Sequence, residues 1–213
     1  MTIEERYQAA SEWFELMMPD PKTELHYDNP FQLLVAVILS AQCTDARVNM
    51  ITPALFEAFP TPGHLAAASV EEIKEFIKSV TYPNNKSKAL KGAAQVLVEK
   101  FNGEVPSSID DLMEIPGVGR KTANVMLSVV FGQAAMAVDT HVFRVSERIG
   151  LTTNSKNPSQ TEKTLTQHFP KEKLGRAHHW LILHGRYVCK ARRPLCLECG
   201  LTHCCRFYQK SKD

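Results

Sequence analysis

The run Pro116-Gly117-Val118-Gly119-Arg120-Lys121 constrains this chain most, because it sets a proline and two glycines between two segments of helical periodicity. Upstream, Ser107 with Asp110 three residues on has the form of a capping box. A short helix is expected to begin there and to stop at Pro116-Gly117, where one residue lacks a donor and the next is flexible. Downstream, Ala123, Met126, Leu127 and Val130 recur at i, i+3, i+4 and i+7, which predicts a second helix from near Gly119 that Gly132 ends. The pattern is two helices joined by a tight hairpin, and Lys121 lies in the first turn of the second. Gly117 and Gly119 let the backbone approach a ligand closely. The free N–H groups that open the second helix, with Arg120 beside them, form a positive site of phosphate size. Such a hairpin grips a backbone and reads no sequence; an ordinary helix–helix turn shares the local pattern.

Asp139 follows eighteen residues after Lys121 and directly precedes Val142, Val145 and Ile149, an apolar stripe that Gly150 closes. Aspartate is a favoured N-cap, so capping is its ordinary role here. A carboxylate fixed at a helix start also stabilises a positively charged transition state in a dry site.

The rest of the chain reads as helix. Ile3, Tyr7, Ala10, Phe14 and Met17 mark an amphipathic helix ended by Pro19 and Pro21, and Asn29-Pro30 opens Phe31 to Leu39, apolar on every side. That run suits a helix buried in a bundle, with a central strand as the alternative. Gln42-Cys43-Thr44-Asp45 breaks it. Ser69 with Glu72 forms a capping box, Lys86 to Phe101 is amphipathic and stops at Asn102-Gly103, Asn157-Pro158 opens a helix through Leu165, and Leu174, Ala177, Leu181 and Ile182 mark the last long one. No alternating run appears, so the expected class is all-α, with about ten helices on short connections.

A chain of 213 residues, 44% hydrophobic, can bury the core of one domain or two small ones. Its formal charge of +2 argues for no particular partner, but the charge is uneven. Residues 1 to 80 hold 5 Lys and Arg against 12 Asp and Glu, net −7, while the remainder hold 20 against 11, net +9. The basic part contains the hairpin and fits a polyanionic partner. The first eighteen residues have no cationic start, and Leu33 to Leu39 is too short to span a bilayer, so a cytoplasmic chain without membrane association is expected.

Five of the six cysteines fall between residues 189 and 205, as Cys189-x6-Cys196-x2-Cys199 followed by Cys204-Cys205. Disulfides are disfavoured in a cytoplasmic chain, which leaves metal ligation, and the bare spacing admits both zinc and iron–sulfur. Lys190, Arg192 and Arg193 lie between Cys189 and Cys196, where a tethered loop would present three cations to phosphates. Cys43 reads as a small core residue, and His168, His178, His179 and His184 match no metal spacing.

Taken together, the hairpin with Lys121, the segment Val138-Asp139-Thr140-His141-Val142 and the C-terminal cysteines resemble the helix-hairpin-helix DNA glycosylases, and among them the endonuclease III family, over nearly the whole chain. The resemblance implies two helical domains. Residues 23–133 would form a six-helix domain with its helix-hairpin-helix at about 108–131, and residues 1–22 and 134–213 a second domain bearing the cluster. It implies that Lys121 is the nucleophile and Asp139 the catalytic carboxylate, and that Cys189, Cys196, Cys199 and Cys205 hold a structural 4Fe-4S cluster, leaving Cys204 spare. Gln42 would fill the gap left by a damaged nucleotide, and Gly117, Gly119, Arg120, Lys190, Arg192 and Arg193 would contact DNA. The implied activity is base excision repair by a monomeric, nucleoid-associated bacterial enzyme. It would remove oxidised pyrimidines from duplex DNA and cleave 3′ to the abasic site by β-elimination through a lysine Schiff base. One stretch departs from the family pattern: Val80 to Ala89 carries what reads as a short insertion with Pro83, and the leucine expected to wedge into the opposite strand is not evident. Two other functions compete. A monofunctional adenine-mismatch glycosylase would lack the lysine and carry a further C-terminal domain, and a cluster-bearing DNA-binding module would have no use for the pairing of Lys121 with Asp139.

Overall fold

The computed structural model describes residues 1–210. Among them the regular structure is helical throughout, and the chain divides into two compact units, one made of Met1–Thr23 with Gly132–Asp213 and the other of Glu24–Phe131. None of these helices is long and apolar enough to cross a membrane.

The chain begins with α1 (Ile3–Met17), started by a full capping box in which Thr2 and Glu5 satisfy each other's backbone N–H groups. The unit Glu24–Phe131 then runs α2 (Pro30–Ser40), α3 (Asp45–Ala58), α4 (Pro62–Ala67), α5 (Val70–Ile77), α6 (Pro83–Phe101), α7 (Ile109–Met113) and α8 (Arg120–Val129). Its centre is α2. Every residue from Leu33 to Leu39 is buried, because α3, α6 and α8 all pack against this helix. Helix rather than strand follows from its start: Asn29 Oδ1 accepts from the Gln32 N–H at 3.0 Å, and Pro30 takes the first position, where no donor is needed.

The boundaries differ from the sequence reading at three places. Ser108, not Ser107, caps α7, with its hydroxyl accepting from the Asp111 N–H at 3.1 Å; this register delivers Leu112 to the core, fully buried. Helix α8 ends at Val129, ahead of Gly132, which turns the chain at φ +60°. Helix α6 starts at Pro83 rather than at Lys86, since proline serves as its first residue.

The other unit is closed by both ends of the chain. After α8 come α9 (Thr140–Ile149), α10 (Pro158–His168), α11 (Leu174–Tyr187) and the short α12 (Arg206–Lys210). Tyr7, Ala10 and Phe14 of α1 share one core with Val142, Val145, Ile149, Trp180 and Leu201. Phe14 stacks on Trp180 with centroids 5.7 Å apart, Trp180 Nε1 donates to the Met18 carbonyl at 2.8 Å, and Tyr7 Oη donates to the Leu151 carbonyl at 2.9 Å. Arg6 donates to the carbonyls of Ile149 and Cys204. Each large side chain of α1 buried in this way contributes about 1.5–3 kcal/mol, which explains why the N-terminal helix stays docked.

Candidate active site and cysteine centre

The hairpin between α7 and α8 is closed by the Val118 N–H, which donates to the Ile115 carbonyl at 3.0 Å. Gly117 adopts φ +84°, and a Cβ there would stand 3.1 Å from Ala89 Cβ of α6 and 3.3 Å from Ile38 Cγ2 of α2. Glycine is therefore required at 117 by both conformation and crowding. Gly119 differs. Its backbone is extended at φ −96°, it is the N-cap of α8 with no side-chain hydrogen bond to the helix start, and an added Cβ would meet nothing within 4 Å. What a glycine achieves there is unobstructed approach to the first N–H groups of a ten-residue helix, the property an anion site needs. Arg120 and Lys121 stand exposed on that first turn, which contains no acidic residue.

Asp139 caps α9, and its Oδ1 accepts from the N–H groups of both His141 and Val142 at 2.8 Å. The other carboxylate oxygen has no protein hydrogen bond among the described residues. Capping thus leaves one carboxylate oxygen unengaged by the helix start. One turn on, Arg144 donates to the carbonyls of Gly185 at 2.8 Å and Cys189 at 3.2 Å and lies 3.3 Å from His141 Nδ1, fixing the start of α9 to the end of α11. A Cβ on Gly185 would come within 2.9 Å of His141 Cβ, so the two helices touch at this level.

Gln42 is exposed in the turn after α2, in the left-handed region at φ +53°, and its carbonyl accepts from Thr81 Oγ1 at 2.7 Å. Next to Thr81, Tyr82 also has φ +56° and is 60% exposed. The stretch read as a short insertion forms the entry to α6: Tyr82 is its N-cap and Pro83 its first residue. Cys43 is only half-buried, because α2 stops at Ser40 and the turn beyond it lies at the surface, so it is not a core residue.

Cys189, Cys196, Cys199 and Cys205 line one pocket, whose walls are otherwise largely apolar and include Ile149, His184, Leu195, Leu201 and Phe207. Cys204 lies elsewhere. It is fully buried in the α1–α9–α11 core, burial pushes its thiol up to about 11, and its Sγ approaches the Leu201 carbonyl at 3.4 Å. Burial also raises Cys199 and Cys205, opposed by backbone N–H groups of Leu201 for the former and of Tyr208 and Phe207 for the latter. Donors aimed at sulfur are what an anionic thiolate requires. No three acidic, histidine or cysteine side chains among the described residues converge tightly enough for a single ion, while the four thiols share the lining of one pocket.

His184 belongs to this centre although its spacing suggested nothing. Buried at 3% exposure and pushed down to about 4 by that burial, it places Nε2 3.6 Å from Cys199 Sγ. The signal available in the sequence was its position five residues ahead of Cys189 on a helix's last turn. Arg148 Nη1 lies 3.6 Å from Cys189 Sγ and donates to the Lys190 carbonyl at 2.7 Å, while Nη2 donates to that of Ala191 at 2.9 Å. Lys190, Arg192 and Arg193 are all exposed on the loop so held.

Residues 35–171 match the HhH-GPD superfamily of base excision DNA repair proteins. The endonuclease III of Bacillus subtilis is 48% identical over 91% of this chain and 89% of its own length, and that of Escherichia coli K12 is 44% identical over 90% of each. This chain belongs to the endonuclease III family. Two solved structures of endonuclease III extend the likeness to the whole chain: a trapped covalent intermediate with DNA, at TM-score 0.94 and 46% identity over all of both chains, and a non-covalent DNA complex, at 0.93 and 45% over 100% and 99%. As a member of the endonuclease III family the chain is a base excision repair enzyme, a DNA glycosylase and abasic-site lyase. The superfamily match takes in the hairpin, Lys121 and Asp139 and ends before Cys189, whereas the endonuclease III likeness covers the cysteine centre too.

Proposed function

We propose that this enzyme removes oxidised pyrimidines from duplex DNA with Lys121 as nucleophile and Asp139 as the catalytic carboxylate, acting as a monomer. The observation that carries the reading is the exposed Lys121 amine on the first turn of α8, beside N–H groups that Gly119 leaves uncapped. A phosphate of the DNA backbone seated on those N–H groups brings a neighbouring sugar to the amine. Lys121 Nζ attacks C1′, the glycosidic bond breaks and the base departs with its electron pair. The oxygen of Asp139 that the cap leaves open accepts the proton the amine sheds and stabilises the positive charge developing on the sugar. Ring opening leaves the sugar on Nζ as a Schiff base. Loss of a C2′ proton then expels the 3′ phosphate, and water releases the amine; a water nucleophile would stop at the abasic site. That a 46% identical endonuclease III forms a trappable covalent intermediate with DNA supports an amine nucleophile.

Gln42 and Tyr82, exposed on turns joined by a hydrogen bond, are assigned to the two sides of the opened duplex, with Tyr82 in the role for which no leucine is present. Gly117, Gly119, Arg120, Lys190, Arg192 and Arg193 contact phosphates. Cys189, Cys196, Cys199 and Cys205 hold a 4Fe-4S cluster, which when bound ties the basic loop and α12 to α9 and α11 as a structural staple. The test is a duplex with a single oxidised pyrimidine, resolved for intact abasic strand and for strand cleaved 3′ to the lesion. Cleaved strand is expected in step with base removal, and Lys121→Gln should abolish both. Accumulation of intact abasic sites by the wild-type enzyme would make it monofunctional.

A further inference from the structure

The last turn of α2 leaves carbonyls without helical partners, and a buried lysine takes two groups there. Lys86, on the first turn of α6, is 7% exposed, and its Nζ donates to the carbonyls of Leu39 and Ala41, both at 2.7 Å. Burial lowers its pKa, opposed by the Cys43 thiol, and no carboxylate acts on it. The negative end of α2 stands in for a counter-ion. Such an arrangement holds a charge in place by geometry, and what it holds is the turn that begins at Ala41.

That turn carries Gln42, and the entry to α6 carries Tyr82. Both are non-glycine residues in the left-handed region, at φ +53° and +56°, and both are exposed. Two turns of this kind, side by side, persist only where the surroundings over-determine them. Here the constraints are the two Lys86 bonds, the Thr81 Oγ1 bond to the Gln42 carbonyl, and the bond from the Lys86 N–H to the Tyr82 carbonyl at 3.1 Å. The hairpin rests on the same platform, since Gly117 packs on Ile38 of the last turn of α2 and on Ala89 of α6.

We infer that Lys86 and Thr81 are positioning residues that lock the Gln42 and Tyr82 turns into one preformed two-pronged unit before DNA arrives. The inference rests on the assignment of those two side chains to the opened duplex. Its physical content is that the ordering cost of both turns is met in folding, so that contact with DNA spends binding energy on opening the stack. A structural role alone would slow every reaction the enzyme performs. Positioning slows only those in which a base stack must be opened.

The experiment compares borohydride trapping on an abasic site in duplex DNA with trapping on the same abasic strand alone, where no stack resists. Thr81→Val keeps the shape of an exposed side chain and removes one hydrogen bond. It should slow duplex trapping by about tenfold and leave single-strand trapping near the wild-type rate. In a Gln42→Ala background the same substitution should add little, because its effect runs through Gln42. Lys86→Met should follow the same pattern more strongly, with its melting temperature recorded and Lys86→Arg tested for partial rescue. Equal slowing on both substrates, or full additivity with Gln42→Ala, overturns the inference even if Lys86→Met fails to fold, because Thr81→Val decides. A wild-type enzyme that traps neither substrate is a different failure, that of the proposed nucleophile.

Discussion

Asp139 presents two different oxygens, one occupied by the N–H groups of His141 and Val142 and the other without a protein partner among the described residues. An asparagine oxygen accepts the same two bonds, so Asp139→Asn keeps the cap and deletes the charge. Excision is expected to fall by about a hundredfold or more. Affinity for a duplex containing a non-cleavable abasic analogue should stay close to wild type, and so should the melting temperature. The decisive readings are single-turnover excision and analogue binding on the same preparation; near-normal excision would reduce Asp139 to a helix cap. At this scale the sequence was informative wherever a residue acts on its own neighbours. Asp139, Asn29 and the Ser69–Glu72 box cap the helices expected of them, because a cap depends on three or four consecutive residues. His184 was harder to read, since beyond its place ahead of Cys189 its setting depends on direct contact with Cys199, fifteen residues away.

Among the elements, the start of α12 draws the sharpest distinction, between two adjacent cysteines. Cys205 faces the cavity shared with Cys189, Cys196 and Cys199, and Cys204 faces the core. Cys205→Ser should lose the iron and its broad visible absorbance, whereas Cys204→Ser should keep about four irons per chain. The opposite result would move the fourth ligand by one position. The loop between Cys189 and Cys196 makes a separate prediction. Lys190, Arg192 and Arg193 are exposed while Arg148 holds their backbone, so neutralising any one should lower the slope of log affinity against log salt by about one unit without altering iron content. An unchanged slope for all three would leave them as a solvated face. Helix boundaries were less legible than helices. The shift from Ser107 to Ser108 turns on which register buries Leu112, and the opening of α6 turns on Tyr82 accepting a left-handed conformation, which periodicity does not encode. Cys43 was misread for a related reason: α2 ends three residues before it, and the chain surfaces at once.

For the molecule as a whole, the apolar pattern was enough to expect an all-helical protein, because each stripe needed a partner and no segment alternated. The joining of the chain's two ends was not readable that way. It depends on Phe14 meeting Trp180 and on Arg6 reaching carbonyls near residues 150 and 204, contacts that no local pattern announces. The same limit applies to the chemistry, since Lys121 belongs to the unit Glu24–Phe131 and Asp139 to the other. That the lysine amine becomes bonded to the sugar it releases is the central claim, and it has a direct measurement. The enzyme is incubated with an abasic-site duplex, reduced with borohydride and digested, and the cross-linked peptide is sequenced by mass spectrometry. The adduct is expected on Lys121 alone and should vanish in Lys121→Gln; an adduct on another amine, or one that survives in Lys121→Gln at the wild-type rate, would contradict the account.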